Sequence, residues 1–377
     1  MNFFATAFSD RSSEEAAVKE LCRDIKNSLP QWPDLILVLY SQNYKHSLIY
    51  NALQVSLRPK HILAVKAPLI IHQKKVSERG IALACFHSRE LTFNPCLLHD
   101  LSSEKIEVTV RKNMNKLKQI KLVLSFISPF ASSQEYLRGI RLALGKNISF
   151  ISAGFKDKEK SGATHYLNTC PGNKVLHLEC GGNLSVYQKK ITGFIPLCRP
   201  FALTRIDRER NIILEINNRP AAEIYKKYLE EKYDLFQKQK MFKYYPLGVE
   251  TGGSYHLITI KNILGDDSLL YEGNICQKDQ ANLMIYNKEA LKDNITRVFS
   301  ALKPALKPQL LFVVNSSLKQ HFYKKDLQEE MALIKKAGGE KCQVIGLYSN
   351  YLIAYNNSIN ELIAEEGSMN ITFINAG

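Results

Sequence analysis

The chain has 377 residues, 45% hydrophobic and 23% charged, the balance of a folded globular protein, so global disorder is excluded. That length outgrows a single hydrophobic core and predicts two domains. Lys and Arg number 51 against 36 Asp and Glu, a formal charge of +15, which makes a polyanion or acidic surface a candidate partner and a chain-wide lysine bias the alternative.

The opening residues, Met1 to Phe8, have no basic start and only a short apolar run, so they do not read as a secretory signal. No stretch reaches the roughly 18–20 apolar residues of a spanning helix. Eight cysteines fall at 22, 85, 96, 170, 180, 198, 276 and 342 with no Cys-x-x-Cys pair, which predicts reduced, mostly buried thiols, no zinc site and a cytoplasmic setting.

Ser12 and Glu15 fit a capping box, and Ala16, Val18, Leu21, Cys22 and Ile25 continue an amphipathic helix that Pro30 stops. Asp34 to Tyr40 is then a continuous apolar run, as expected of a central strand covered on both faces.

From there the pattern recurs. Strand 35–40, a helix near 46–57 and strand 62–65 are echoed by strand 122–127, a helix near 133–144 and strand 148–152. They are echoed again by strand 310–314, a helix near 325–337 and strand 343–348. The second strands begin 27, 26 and 33 residues after the first, and further strand follows at 81–86, 175–179 and 371–374. Polar Ser41, Ser128 and Asn315 end the first strands. The fold class predicted is α/β: repeated β-α-β-β units forming mixed sheets covered by helices, with a β-meander joining two halves. The meander comprises 174–179, 184–191, 201–206 and 212–216, after which Arg219-Pro220-Ala221-Ala222 opens a helix. Asn287 caps another, and Gly338-Gly339 reads as a helix terminator. The domains expected are 1–219, internally duplicated over 30–100 and 118–216, and 220–377.

Three stretches resemble the FIST domains: Asp34 to Ser41; Ile191-Thr192-Gly193-Phe194-Ile195-Pro196-Leu197 with Phe201 to Thr204 and Ile213 to Ala221; and Tyr245-Pro246-Leu247-Gly248-Val249 with Gly346-Leu347-Tyr348. The resemblance, to FIST N-terminal plus C-terminal domains of the standalone bacterial type, implies a sensory module of signal transduction. It implies a small ligand such as an amino acid or carboxylate, and a signalling protein partner, with homo-oligomerisation left open. Departures from the pattern are expected to alter or degrade the pocket. Ala64 to Pro68 replaces a Gly-Cys-Ser-like turn, Val313 to Leu318 replaces a Cys-x-x-Arg ending, and Tyr351-Leu352 replaces Gly-Glu.

Polar groups at the ends of parallel strands line the crevice where α/β sheets bind ligands. The candidate ligand-binding residues are therefore Ser41, Gln42, Ser128, Gly154, Lys156, Asp157, Asn315, Ser316, Tyr348, Ser349 and Asn350, with strand-end capping as the competing role. Hydroxyls, amides and one lysine suit a zwitterion or carboxylate better than acid–base chemistry. No phosphate-cradling glycine motif, no nucleophile elbow and no metal spacing occurs, so no catalytic residue, metal or cofactor is assigned, and the chain is read as a non-enzyme. His177 is expected to be a satisfied sheet histidine and Cys85 a structural one.

Residues 51–200 hold 23 Lys and Arg and 9 Asp and Glu, +14 of the total +15. Arg111, Lys112, Lys116, Lys118 and Lys121 suggest a helical basic stripe. It lacks aromatic interleaving, so a solvated or partner-facing surface ranks above nucleic acid, and a basic scaffold for nucleic acid, an anionic surface or an acidic partner is the alternative function.

Overall fold

The computed structural model describes residues 2–98, 102–114, 119–128, 133–144, 148–155, 164–166, 174–239, 241–251, 253–273, 275, 280–302, 308–322, 326–356 and 361–376. Unit one runs β1 (Asn2–Ser9), α1 (Glu14–Ser28), β2 (Leu35–Tyr40), α2 (His46–Leu57), β3 (His61–Lys66), β4 (Ile70–His72), β5 (Lys75–Ser77) and β6 (Ile81–Ser88). Unit two runs β7 (Leu91–Leu98), α3 (Ser103–Met114), β8 (Ile120–Ser128), α4 (Ser133–Leu144), β9 (Ser149–Gly154), β10 (Thr164–Tyr166) and β11 (Lys174–Gly182).

Unit three opens with β12 (Leu184–Ile191) and is then interrupted. The insertion holds β13 (Phe194–Pro196), β14 (Phe201–Asp207), β15 (Ile212–Ile216), β16 (Arg219–Pro220), α5 (Glu223–Leu229), α6 (Tyr233–Lys238), β17 (Leu247–Thr251), β18 (Ser254–Ile263), β19 (Leu269–Glu272) and β20 (Gln280–Tyr286). The unit resumes with α7 (Lys288–Ser300), β21 (Leu310–Ser316), α8 (Leu318–Phe322), α9 (Leu327–Gly338), β22 (Gln343–Ser349), β23 (Tyr351–Asn356), β24 (Glu361–Glu365) and β25 (Met369–Ala376).

The chain is thus a mixed α/β protein in which one four-stranded pattern occurs three times: β1-β6-β2-β3, β7-β11-β8-β9 and β12-β25-β21-β22. In each, the inner pair is parallel (β2 with β3, β8 with β9, β21 with β22), which a crossover helix makes possible. The other pairings are antiparallel. Each sheet is then extended by strands from another unit. β10 of unit two joins β3, β23 and β24 of unit three join β9, and β4 and β5 of unit one join β22.

Strand alternation explains the packing. Leu35, Leu37 and Leu39, Leu122, Leu124 and Phe126, and Leu310, Phe312 and Val314 all point into one shared core. The intervening residues face outward under helix pairs: Ile36 and Val38 under α1 and α2, Val123 and Ile127 under α3 and α4, Leu311 and Val313 under α7 and α9. The shared core leaves a void of about 30 Å³ lined only by apolar side chains, including Leu35, Leu122 and Leu310, which is dry rather than ligand-binding in character.

The inserted strands pair antiparallel, and the pairing closes on itself because β20 meets both β14 and β17. Of the four strands expected as a meander, β14 and β15 form a hairpin, whereas β11 and β12 enter different sheets. The expected division between 219 and 220 falls inside β16, which pairs with β15.

Three local expectations shift. The cap of α1 is Ser13, whose side chain accepts from the Ala16 amide at 3.2 Å, one residue later than the capping box suggested. The helix expected from Pro220 starts at Glu223, because Arg219 and Pro220 pair as strand, and it breaks at Glu230, where φ is 43°. The basic stripe is not one helix. α3 ends at Met114, and Lys121 lies on β8, drawn into strand by the alternation of Leu122, Leu124 and Phe126. Asn287 caps α7 by accepting from the Ala290 amide, and α9 stops at Gly338 before left-handed Gly339, as expected.

Candidate functional site

The three units superpose by register. Leu35, Leu122 and Leu310 each pair with the first residue of the following parallel strand. Six residues on from each stand Ser41, Ser128 and Ser316, so Ser316 rather than Asn315 is the counterpart of the other two serines. Two of these serines hold glycine amides. Ser41 Oγ accepts from Gly80 N at 3.2 Å, and Ser316 Oγ accepts from Gly367 N at 2.8 Å and Leu318 N at 3.2 Å. Both glycines lead into the fourth strand of their unit, so the hydroxyls fix that turn, the capping role weighed for them. Gln42 is exposed. The side chain of Ser128, and all of Lys156, Asp157, Lys116 and Lys118, lie outside the described residues.

The structure gathers the remaining candidates at the end of unit three. Gly154 pairs with Tyr351, next to Ser349 and Asn350. Ser349 Oγ donates to the Tyr351 carbonyl at 2.8 Å, and Asn350 Nδ2 contacts Ser317 Oγ at 3.3 Å. Asn315 Oδ1 accepts from Ser316 N, while its Nδ2 faces Glu330 Oε1 at 3.4 Å. Among the described residues, no hydrogen bond ties Ser41 to this group.

Sequence reasoning passed over the charges that complete it. Lys319 on α8 and Glu330 on α9 are both buried, and Nζ donates to Oε1 at 2.7 Å. Glu330 sits on the apolar stripe of α9 with Leu327, Met331 and Ile334, a spacing at which a carboxylate signals a buried partner. Tyr348 is fully buried beside them. Its hydroxyl has no hydrogen-bond partner of good geometry among the described residues, and burial, together with the Glu330 charge, pushes its pKa well above the usual phenol range.

On the far side of Ser316 lies the seam with the inserted strands. Glu365, at the end of β24, receives His256 Nδ1 of β18 at 2.7 Å and Lys190 Nζ of β12 at 3.1 Å, and Lys190 also donates to the Tyr255 carbonyl at 3.0 Å. Burial would raise the carboxyl pKa, but the Lys190 charge and the His256 hydrogen bond hold it down to about 2, so it is ionised at neutral pH. Glu365 Oε1 and His256 Nε2 are buried there without a hydrogen-bond partner of good geometry among the described residues, and the buried Ser368 hydroxyl stands close enough to the carboxylate to help hold its pKa down. A carboxylate oxygen and a hydroxyl so placed can accept from an ammonium, and an imidazole nitrogen adds a third polar contact.

A second buried network crosses sheet two. Ser125 Oγ meets His177 Nδ1 at 2.9 Å, Tyr136 donates to the same Oγ, and His177 Nε2 lies 3.5 Å from Glu179 Oε1. These residues have the composition of a hydrolytic triad, but all are fully buried and the serine hydroxyl is capped by Tyr136, so they tie the sheet to α4. His177 is thus held within the sheet, but its Nε2 makes no hydrogen bond of good geometry among the described residues, so the satisfied histidine expected there is satisfied on one side only. Cys85 is buried and its thiol pKa is pushed up by that burial, the opposite of what a nucleophile requires. The six cysteines at 22, 85, 96, 180, 198 and 342 are free thiols. Of the basic residues, Lys112 and Lys121 are exposed, while Arg111 is folded back onto Glu107 Oε1 at 2.9 Å and the Leu142 carbonyl.

The model of the FIST N domain matches residues 34–219, and that of the FIST C domain matches residues 221–350. Among solved structures, a cyanuric acid hydrolase from A. caulinodans is similar at 9% identity and TM-score 0.38, over 100% of this chain and 99% of that one. A chorismatase is similar at 6% identity and TM-score 0.35, over 99% of each chain. A phosphoribosylformylglycinamidine synthase II from Thermotoga maritima has 11% identity and TM-score 0.20, over 99% of this chain and 73% of that one. No curated protein matches the chain.

Proposed function

This chain belongs to the FIST family, and from that premise we propose that it is a non-catalytic module that senses a small ligand in signal transduction. The observation that carries the reading is the seam between unit three and the inserted strands, where Glu365 Oε1, His256 Nε2 and Ser368 Oγ are buried and none makes a hydrogen bond of good geometry among the described residues. Natural proteins rarely bury such atoms without a partner, and a ligand is one. Ionised Glu365 suits an amine, so an amino acid or related zwitterion fits better than a simple carboxylate. Asn315, Ser316, Ser349 and Asn350 support the adjoining wall, where their side chains are already engaged with the protein. The same self-engagement favours a narrow or degenerate pocket over an open one.

A ligand seated at this seam touches both the three-unit body and the inserted strands, which is how occupancy would reach a protein partner. The setting proposed is cytosolic. Among the described residues, no helix is long and apolar enough to cross a membrane. The basic-scaffold alternative draws less support, since Arg111 is already bonded and Lys121 stands on a different element from Lys112.

The test is thermal melting across a panel of amino acids and carboxylates. A ligand at about a hundred times its Kd adds about 2.7 kcal/mol, a rise of several degrees. Ser368→Ala should remove most of that rise while leaving the unliganded midpoint nearly unchanged. A flat panel would leave the protein as an interaction scaffold with a degenerate pocket.

A further inference from the structure

The opposite end of sheet one carries a groove that none of the foregoing uses. It has a volume of about 650 Å³ and lies between the end of α1, the Pro30–Asp34 turn and the end of α2. Ligand sites commonly fall within roughly 300–1,000 Å³. Its wall includes Trp32, the only tryptophan in the chain, which is 51% exposed. A large aromatic left half in water, on a turn that is itself fixed, is a platform rather than a piece of core.

The turn is fixed by two residues of the groove. His87 Nδ1 contacts the Trp32 carbonyl oxygen at 2.9 Å, and Asp34 Oδ2 accepts from Ser88 N at 2.9 Å. Asp34 Oδ1 also receives Lys60 Nζ at 2.5 Å. Lys26 Nζ stands 5.9 Å from the Trp32 ring centroid. Arg58 lines the same groove, exposed and with no ion-pair partner within 4 Å among the described residues. Lys26, Arg58 and Lys60 against Asp34 leave the groove with two net positive charges.

Arg58 adds a second observation. It is the residue that ends α2, and its backbone is left-handed, with φ 43° and ψ 49°. That conformation suits glycine, and other side chains hold it at a cost in stability. An arginine kept there places a guanidinium over the groove at the expense of a better helix end.

We propose that this groove binds a planar ring bearing a phosphate monoester, the chemistry of a nucleoside monophosphate. The ring stacks on Trp32. The phosphate, which carries about −1.5 to −2 charges at neutral pH, matches the two net positive charges, with Arg58 and Lys60 as its donors. This site is independent of the seam at Glu365.

Because Trp32 is the sole tryptophan, its fluorescence reports the groove alone. Titration of the full chain with AMP, excited at the tryptophan edge, should give a saturable change with a Kd below about 1 mM. Adenosine, which has the ring without the charge, and inorganic phosphate, the charge without the ring, should each bind at least about tenfold more weakly. Arg58→Gly should weaken AMP at least about tenfold while raising the melting midpoint, since glycine suits the left-handed position. A non-saturating response to AMP, an equal response to adenosine or phosphate, or undiminished binding by Arg58→Gly would overturn the proposal.

Discussion

Glu365 and His256 are 109 residues apart in the chain and 2.7 Å apart in the fold. Their contact, with Lys190 on the same carboxylate oxygen, joins three strands that belong to different sheets. The carboxylate is therefore both a structural tie and the electrostatic centre of the proposed pocket.

Acid should loosen this tie. The folded pKa of Glu365, about 2, lies below its ordinary 4.5, so the ionised form stabilises the fold fully above pH 4.5. That contribution is lost as pH falls from 4.5 towards 2, and it amounts to about 3 kcal/mol. In Glu365→Gln, urea unfolding free energies at pH 3 and pH 7 should therefore differ less than in the parent, with stability at pH 7 already reduced.

Breaking the pair Lys319–Glu330 should be costly and replacing it cheap. Lys319→Met leaves a buried carboxylate and should cost about 3–5 kcal/mol in urea unfolding. The double substitution Lys319→Met with Glu330→Leu should recover most of that loss. A single-variant cost below about 1 kcal/mol would mean that water reaches the pair.

His72 governs a different pH window. Burial, with the charges of Lys75 and Lys335, lowers its pKa from 6.5 to about 4, so it is neutral in the fold. Below pH 6.5 the unfolded chain takes up the proton first, and stability falls as pH drops from 6.5 towards 4. His72→Gln should remove about 2–3 kcal/mol of that dependence. The window lies above that of Glu365 and overlaps it only between about pH 4 and 4.5, so a stability titration resolves the two.

Gly346 lies opposite Val313 at the centre of sheet three, where an added Cβ would meet the Val313 carbonyl oxygen at 2.0 Å. Two paired strands cannot part without disturbing the shared core. Gly346→Ala should cost about 3 kcal/mol, measured by thermal or urea unfolding.

The sequence carried the units more clearly than their assembly. Leu35, Leu37 and Leu39 announce a buried strand by composition and alternation alone, and the matched helix spacing made three copies visible. Strand exchange leaves no such mark. Ile70 to His72 is too short for a periodic signal, and nothing local says that its partner is Ile345 to Leu347. The site divides likewise. Glu330 carries a signal in its place on the apolar face of α9, whereas His256 carries none, because five successive residues of β18 from His256 on are all buried. Their partners were not legible, because Lys319, Glu365 and Lys190 meet them only after the sheets have formed. The serines were legible as strand-end residues, but their engagement with glycine amides depends on turns far along the chain.

Strand exchange also dictates an order of assembly. Leu184 pairs with Ala376 and Ile191 with Met369, so β12 leaves the ribosome long before its partner β25 exists. Until then it is an unpaired edge, open to other chains. Each unit lends strands to another unit's sheet, so the sheets of units one and two are still incomplete when their own residues have been made. The three-unit body therefore closes only once β21 to β25 have been made, whereas the inserted strands between β12 and α7 pair, among the described residues, only with one another and need not wait for them.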